Sequence, residues 1–213
     1  MHTKLTFNII ELTEKHVEAA SVCLAKSFAR EPMLQCLGIN WQTVRDNFVH
    51  VVSKSAKDGL SLVTIEQSSG EVVGVTINMD MVSAPVDDDV TFDDCLNPVF
   101  GLLETLDTSV SDFDGATKGV FFHFFMLAVD ERYSGNNIGS LQTQAAFDIA
   151  INNGYKSVVL EATGLVSQHV CGVRLGCKTI SEINYSEFEF EGKKVFAGLG
   201  KDLTCQLMVK SIE

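Results

Sequence analysis

Apolar and polar positions alternate along the chain in two periods, and the longest apolar run marks its centre. Nine of the ten residues from Val120 to Val129 are apolar, with neither Gly nor Pro among them. Such a run predicts a strand buried on both faces, hence a central one. Asp130 to Asn137 is polar and carries Gly135, after which Ile138, Leu141, Ala145, Ile149 and Ala150 form an apolar stripe at helical spacing. A helix is therefore expected to begin near Asn137 and to stop at Asn153-Gly154. Ser157 to Leu160 follows as a strand, completing a strand, helix and strand unit expected to be parallel and right-handed.

Ahead of this unit, Leu5 to Leu12 reads as a strand, and Thr13 can cap a helix from Glu14 to about Arg30 with Val17, Ala20, Leu24 and Phe28 on one face. Pro32 biases Glu31 out of helical geometry and stops that helix. Asn40 can cap a second helix, Trp41 to about Lys57, with Val44, Phe48, Val51 and Val52 inward. Leu60 to Glu66 and Val72 to Met79 read as the two strands of a hairpin. From Met81 to Lys118 the pattern breaks into an acidic insertion, with Asp87-Asp88-Asp89, Asp93-Asp94 and a short helix from about Pro98 to Leu106. Its acids lack the spacing of a calcium loop and read as solvated. Late in the chain, Thr163 and Ser167 precede or open a helix ending near Leu175-Gly176, and Cys177 to Tyr185 is extended. Phe188 to Lys193 reads as a strand tip and turn, and Thr204 to Val209 as a final strand. A hairpin followed by a parallel unit gives an α/β fold with a mixed sheet flanked by helices. No repeat, low-complexity tract or linker divides residues 1–213, so one domain is expected.

Composition narrows the partners. A chain of 213 residues, 46% of them hydrophobic, can bury about 70% of its unfolded surface, so folding needs no cofactor. A net charge of −12 argues against nucleic acid and anionic membranes and suits a cationic small substrate. The six cysteines show neither a C-x-x-C pair nor a histidine cluster, so no metal site is expected and most should be reduced core residues. The first apolar run, Leu5 to Ile10, is too short for a signal or a membrane span, which leaves a cytoplasmic address by default.

The chemistry is concentrated at three places. The first turn of a helix leaves about four N–H groups unpaired and carries roughly half a positive charge, which suits phosphate. Gly135 and Gly139 let an anion approach the main chain there, while Ser134, Asn137 and Ser140 offer side-chain hydrogen bonds. A lone G-x-x-x-G is more often a plain turn. Glu31, between Phe28 and Met33-Leu34, would have its pKa raised by desolvation and become a usable base, although a solvated glutamate at a helix end is the commoner arrangement. His123 shares a strand face with Phe125 and Leu127; a lone histidine among aromatics is more often packed and hydrogen-bonded, and it stands as second-choice base. A dinucleotide-binding unit is disfavoured. Its glycines would run G-x-G-x-x-G directly after the strand, and its sheet would be parallel throughout.

Leu127-Ala128-Val129-Asp130-Glu131-Arg132-Tyr133-Ser134-Gly135-Asn136-Asn137-Ile138-Gly139-Ser140-Leu141 resembles the acetyl-CoA signature of the GNAT N-acetyltransferases, V-x-P-x-x-[RQ]-G-x-G-[IV]-[GA]-x-x-L. Gly135, Ile138 and Gly139 are kept, while Ser134 replaces the usual Arg or Gln and Asn137 the first signature glycine. Within that superfamily, Phe28-Ala29-Arg30-Glu31-Pro32-Met33 is similar to the F-x-x-[DR]-E-P-[LM] motif of the insect and nematode arylalkylamine N-acetyltransferase-like branch, and Ala162-Thr163-Gly164-Leu165-Val166-Ser167-Gln168 to its A-T-G-x-x-S-Q segment. Arg174-Leu175-Gly176-Cys177 stands where the branch has K-L-G-F.

The resemblance implies a GNAT fold and transfer of acetyl from acetyl-CoA to a small primary amine, most simply an arylalkylamine, by direct attack in a ternary complex. It implies cofactor contacts over Leu127, Ala128, Val129 and Ser134 to Ser140, with Glu31 as base, Thr163 and Ser167 as paired hydroxyls, and His123 in the place of a histidine used by the vertebrate branch. Many relatives protonate the thiolate from a tyrosine where this chain has Gly172. A monomer or weak homodimer is expected. Alternatives are an acyl-CoA-binding protein without turnover, or an enzyme acting on a polyamine, an aminoglycoside-like amine or a protein N-terminus. The Met81 to Lys118 insertion is a candidate wall of the acceptor site.

Overall fold

The computed structural model describes residues 5–87, 90–108, 110, 113 and 115–212. Asp88 and Asp89 of the acidic run lie outside them. Seven strands form one mixed sheet: β1 (Phe7–Glu11), β2 (Leu62–Glu66), β3 (Val72–Asp80), β4 (Phe121–Val129), β5 (Ser157–Ala162), β6 (Lys178–Asn184) and β7 (Thr204–Ser211). Their spatial order is β1-β2-β3-β4-β5-β7-β6, with β4 in the middle and the single parallel pairing between β4 and β5.

Two cores flank the sheet. Against one face pack α1 (Val17–Phe28), α2 (Pro32–Cys36), α3 (Trp41–Asp58) and α4 (Asn97–Thr108). Against the other lies α5 (Ile138–Asn152), followed by α6 (Leu165–His169) and a π-helical segment, Val170–Arg174. The end signals act through the expected atoms. Asn40 Oδ1 accepts the Thr43 N–H at 3.0 Å, and α3 closes on Gly59 at φ +69°. Thr13 opens a 3₁₀ turn, Glu14–His16, before α1 begins, so the expected continuous helix is two pieces.

Two expectations are corrected. Of the expected stripe Ile138, Leu141, Ala145, Ile149 and Ala150, only Ile138 and Ala150 are fully buried: Leu141 is 47% exposed, Ala145 and Ile149 are half-buried, and Gln142, Thr143, Ala146 and Phe147 complete the inward face of α5. The inward face comes close to β3, where a side chain on Gly74 would come 2.7 Å from Gln142 Oε1. Glycine there leaves room for the long amide. Phe188 to Lys193 joins no strand of the sheet; Phe190 and Lys193 make an isolated bridge around a turn at Glu191 and Gly192, both at positive φ.

The opening of the sheet is what creates a site. β4 pairs with β5 only from Phe121 to His123, against Ser157 to Val159, although both strands run on. On its other edge β4 stays paired with β3, but Phe125 has no opposite residue, a bulge between the Ile77 and Asn78 pairings. A bulge bends a strand and strengthens its twist. From Phe124 onward β4 and β5 are unpaired, and the β5-facing edge of β4 is left open.

Candidate active site

One continuous cavity of about 900 Å³ fills this opening. It runs from the N-terminus of α5 on one side of the sheet to α1, α2 and α4 on the other. Of the expected cofactor contacts, Leu127, Val129, Ser134, Gly135, Asn137, Ile138, Gly139 and Ser140 line it. Ala128 and Asn136 do not. Ala128 belongs to the core on the α1 face, and the exposed Asn136 turns its amide back onto the Tyr133 and Ser134 carbonyls.

The loop is shaped for an anion. Gly135 at φ +80° and Asn137 at φ +61° curl it over the helix end, and the first intrahelical bond runs from Leu141 N–H to the Asn137 carbonyl. Helix geometry therefore leaves the N–H groups of Ile138, Gly139 and Ser140 without intrahelical partners. Asn137 makes no side-chain cap that would consume them. The nearby Arg132 is occupied by Asp130 at 2.8 Å and Glu71 at 3.3 Å. Arg174, exposed on the opposite rim, lines the cavity and has no ion-pair partner among the described residues. It is a cation the spacing alone did not single out.

On the α1, α3 and α4 side of the sheet the cavity is walled by aromatic and aliphatic side chains of these helices and of β4, among them Phe28, Phe48, Phe100, Leu103 and Phe125. Part of the Met81 to Lys118 insertion thus forms a wall. Glu31 reaches this space from the break between α1 and α2, at φ −64° and ψ 138°. Burial raises its pKa above the ordinary carboxylate value, against the opposing pull of the Thr163 hydroxyl and of Arg30. Thr163 Oγ1 donates to Glu31 Oε2 at 3.3 Å, so two residues far apart in sequence meet. Tyr185 fixes this corner by donating to the Thr163 carbonyl at 2.7 Å, and Gln168 ties α6 to the Ala162 and Thr204 carbonyls.

Thr163 and Ser167 have different tasks. Ser167 Oγ donates to the Gly164 carbonyl at 2.8 Å and accepts its N–H at 3.2 Å, closing the first turn of α6, while Thr163 faces Glu31. His123 does not line the cavity. Its Nε2 lies 2.8 Å from Glu161 Oε2, inside the sheet. Burial works to lower its pKa, but the charge and hydrogen bond of Glu161, with Asp107 behind, hold it above the usual imidazole value. His123 as second-choice base is therefore replaced by a packed, paired histidine. Gly172, in the π-helical segment, brings no hydroxyl, and a side chain there would come 3.3 Å from the Met208 methyl.

No protein-family profile and no curated protein matches this chain in sequence. Solved structures match its shape. The C-terminal condensation domain of Ebony, in complex with beta-alanyl-dopamine, is similar with a TM-score of 0.88 at 18% identity, over 98% of this chain and 100% of that chain. Arylalkylamine N-acetyltransferase 2 from Aedes aegypti is similar at 0.78 and 21% identity, over 98% and 100%. The insect putative arylalkylamine N-acetyltransferase 7 from the yellow fever mosquito gives 0.79 and 23%, over 97% and 88%. These likenesses establish the fold: a mixed sheet of the GNAT type.

Proposed function

We propose that this chain is an acetyl-CoA-dependent N-acetyltransferase acting on the primary amine of a small molecule, an arylalkylamine by preference. The observation that carries the reading is the single cavity joining the free N–H groups of α5 to the half-buried Glu31 through the gap between β4 and β5. The proteins of like fold that are named arylalkylamine N-acetyltransferases support it, as does the aromatic lining of the acceptor side.

The reaction follows from the groups present. A primary amine with a pKa of about 10.4 is neutral in fewer than about one molecule in a thousand at pH 7, and deprotonation costs about 4–5 kcal/mol. Glu31 takes the amine proton, directly or through one water. The nitrogen lone pair then attacks the thioester carbon, whose oxygen is polarised by N–H groups on the open edge of β4. The C–N bond forms, the C–S bond breaks, and the thiolate takes a proton from Thr163, which recovers one from Glu31. The diphosphate of the donor sits at the first turn of α5, with Arg174 supplying the charge that Ser134 lacks.

Calorimetric titration with acetyl-CoA, with mass-spectrometric detection of the N-acetyl product from tyramine, tests this reading. Saturable binding and product are expected for the wild type, and loss of both for Gly139→Trp, whose indole would enter the space beside Leu127 and Val129. Binding without product from any amine would favour an acyl-CoA-binding protein. Binding unchanged in Gly139→Trp would refute the phosphate site.

A further inference from the structure

Two carboxylates interrupt the apolar lining of the acceptor side, Glu31 and Glu161. Proton transfer uses Glu31 and leaves Glu161 without a task. Its side chain is only 4% exposed, and a buried carboxylate is costly unless hydrogen-bonded. His123 Nε2 serves Oε2 at 2.8 Å. Glu161 Oε1 and Asp107 Oδ1 are each buried without a partner unless a proton lies between them, and burial together with the Glu161 charge lifts the Asp107 pKa to about 7, which supplies that proton. A carboxylate has about four lone-pair sites, so these two contacts leave acceptor capacity on a group that lines the cavity.

Spacing describes the guest. Glu161 precedes Thr163 by two residues of extended chain, roughly 7 Å. Thr163 in turn holds Glu31, where the amine reacts. That separation is comparable with the distance from the nitrogen to the ring hydroxyl of an arylethylamine, and Phe100 and Phe125 line the same side.

We propose that Glu161 recognises an aryl hydroxyl on the amine acceptor, with His123 and Asp107 as positioning residues that fix its carboxylate. This deepens the N-acetyltransferase reading and rests on it.

Initial rates and calorimetric affinities for tyramine, phenethylamine and putrescine, with acetyl-CoA as donor, decide the matter. The wild type should prefer tyramine to phenethylamine by about ten- to a hundredfold in kcat/KM, the worth of a hydrogen bond to a charged group. Glu161→Gln should erase most of that preference, lowering kcat/KM for tyramine far more than for phenethylamine. Asp107→Asn should weaken tyramine alone and by less, and it keeps the test open should the first variant not fold. Equal use of the two aryl amines by the wild type would overturn the proposal, as would equal losses on both in the variants or a preference for putrescine. If no amine is turned over, the N-acetyltransferase reading fails, and the tyramine-to-phenethylamine affinity ratio still decides the role of Glu161.

Discussion

Glu31 is set by its neighbours in sequence and in space. Pro32 holds its backbone extended at the start of α2, the α1 face puts Phe28 beside the same cavity, and Thr163 reaches it from the end of β5. Burial makes protonation easier and so raises the pKa. A base must be ionised to act, so the rate should fall as pH drops through that raised value. At saturating amine, the acid limb of kcat/KM for acetyl-CoA is expected above the ordinary glutamate value of about 4.3. A limb at or below that value would exclude Glu31 as the base. Its position was legible in the sequence because a proline after a helical stretch marks a break. Its partner was not, since Thr163 was equally suited to capping and only the fold decides between a hydroxyl that closes α6 and one that meets Glu31.

The helix α4 joins the apolar wall of the cavity to a buried cluster of titratable groups. Leu96, just ahead of it, and Val99, Phe100 and Leu103 face the cavity, while Asp107 meets Glu161 on β5, which holds His123 on β4. Burial first, and then the Glu161 charge, raise the Asp107 pKa to about 7, and that of His123 also lies above its usual value. A group with a raised folded-state pKa stabilises fully below its unfolded value, about 3.9 for an aspartate, and loses that contribution as pH rises through the folded value. For Asp107 the loss runs through about pH 7. Thermal denaturation between about pH 5 and 8.5 should therefore show stability falling with rising pH, and Asp107→Asn should flatten the slope. An unchanged slope would contradict the shared proton. The helix itself was legible as a short apolar stretch, but its contact with β5 was not: Asp107, His123 and Glu161 are brought together only by the sheet. The same holds for α5, whose start near Asn137 followed from the apolar pattern while its packing of Gln142 against Gly74 on β3 did not.

The whole molecule is a sheet that opens at its centre. The long apolar run made β4 recognisable as the middle strand, and the hairpin before it implied a mixed sheet, as found. The bulge at Phe125 and the parting of β4 from β5 had no sequence signal, because both depend on pairing across strands. In the proposed reaction that gap would let a thioester on the α5 side meet an amine on the α4 side, with Glu31 lining the same cavity. The most direct measurement is acetyl-CoA affinity and tyramine-dependent thiol release for the wild type and Glu31→Gln in parallel. Affinity should be unchanged and turnover should drop by about a hundredfold or more, as removal of a general base does. Turnover retained in Glu31→Gln, with affinity intact, would show that the proton leaves by another route and would contradict the account.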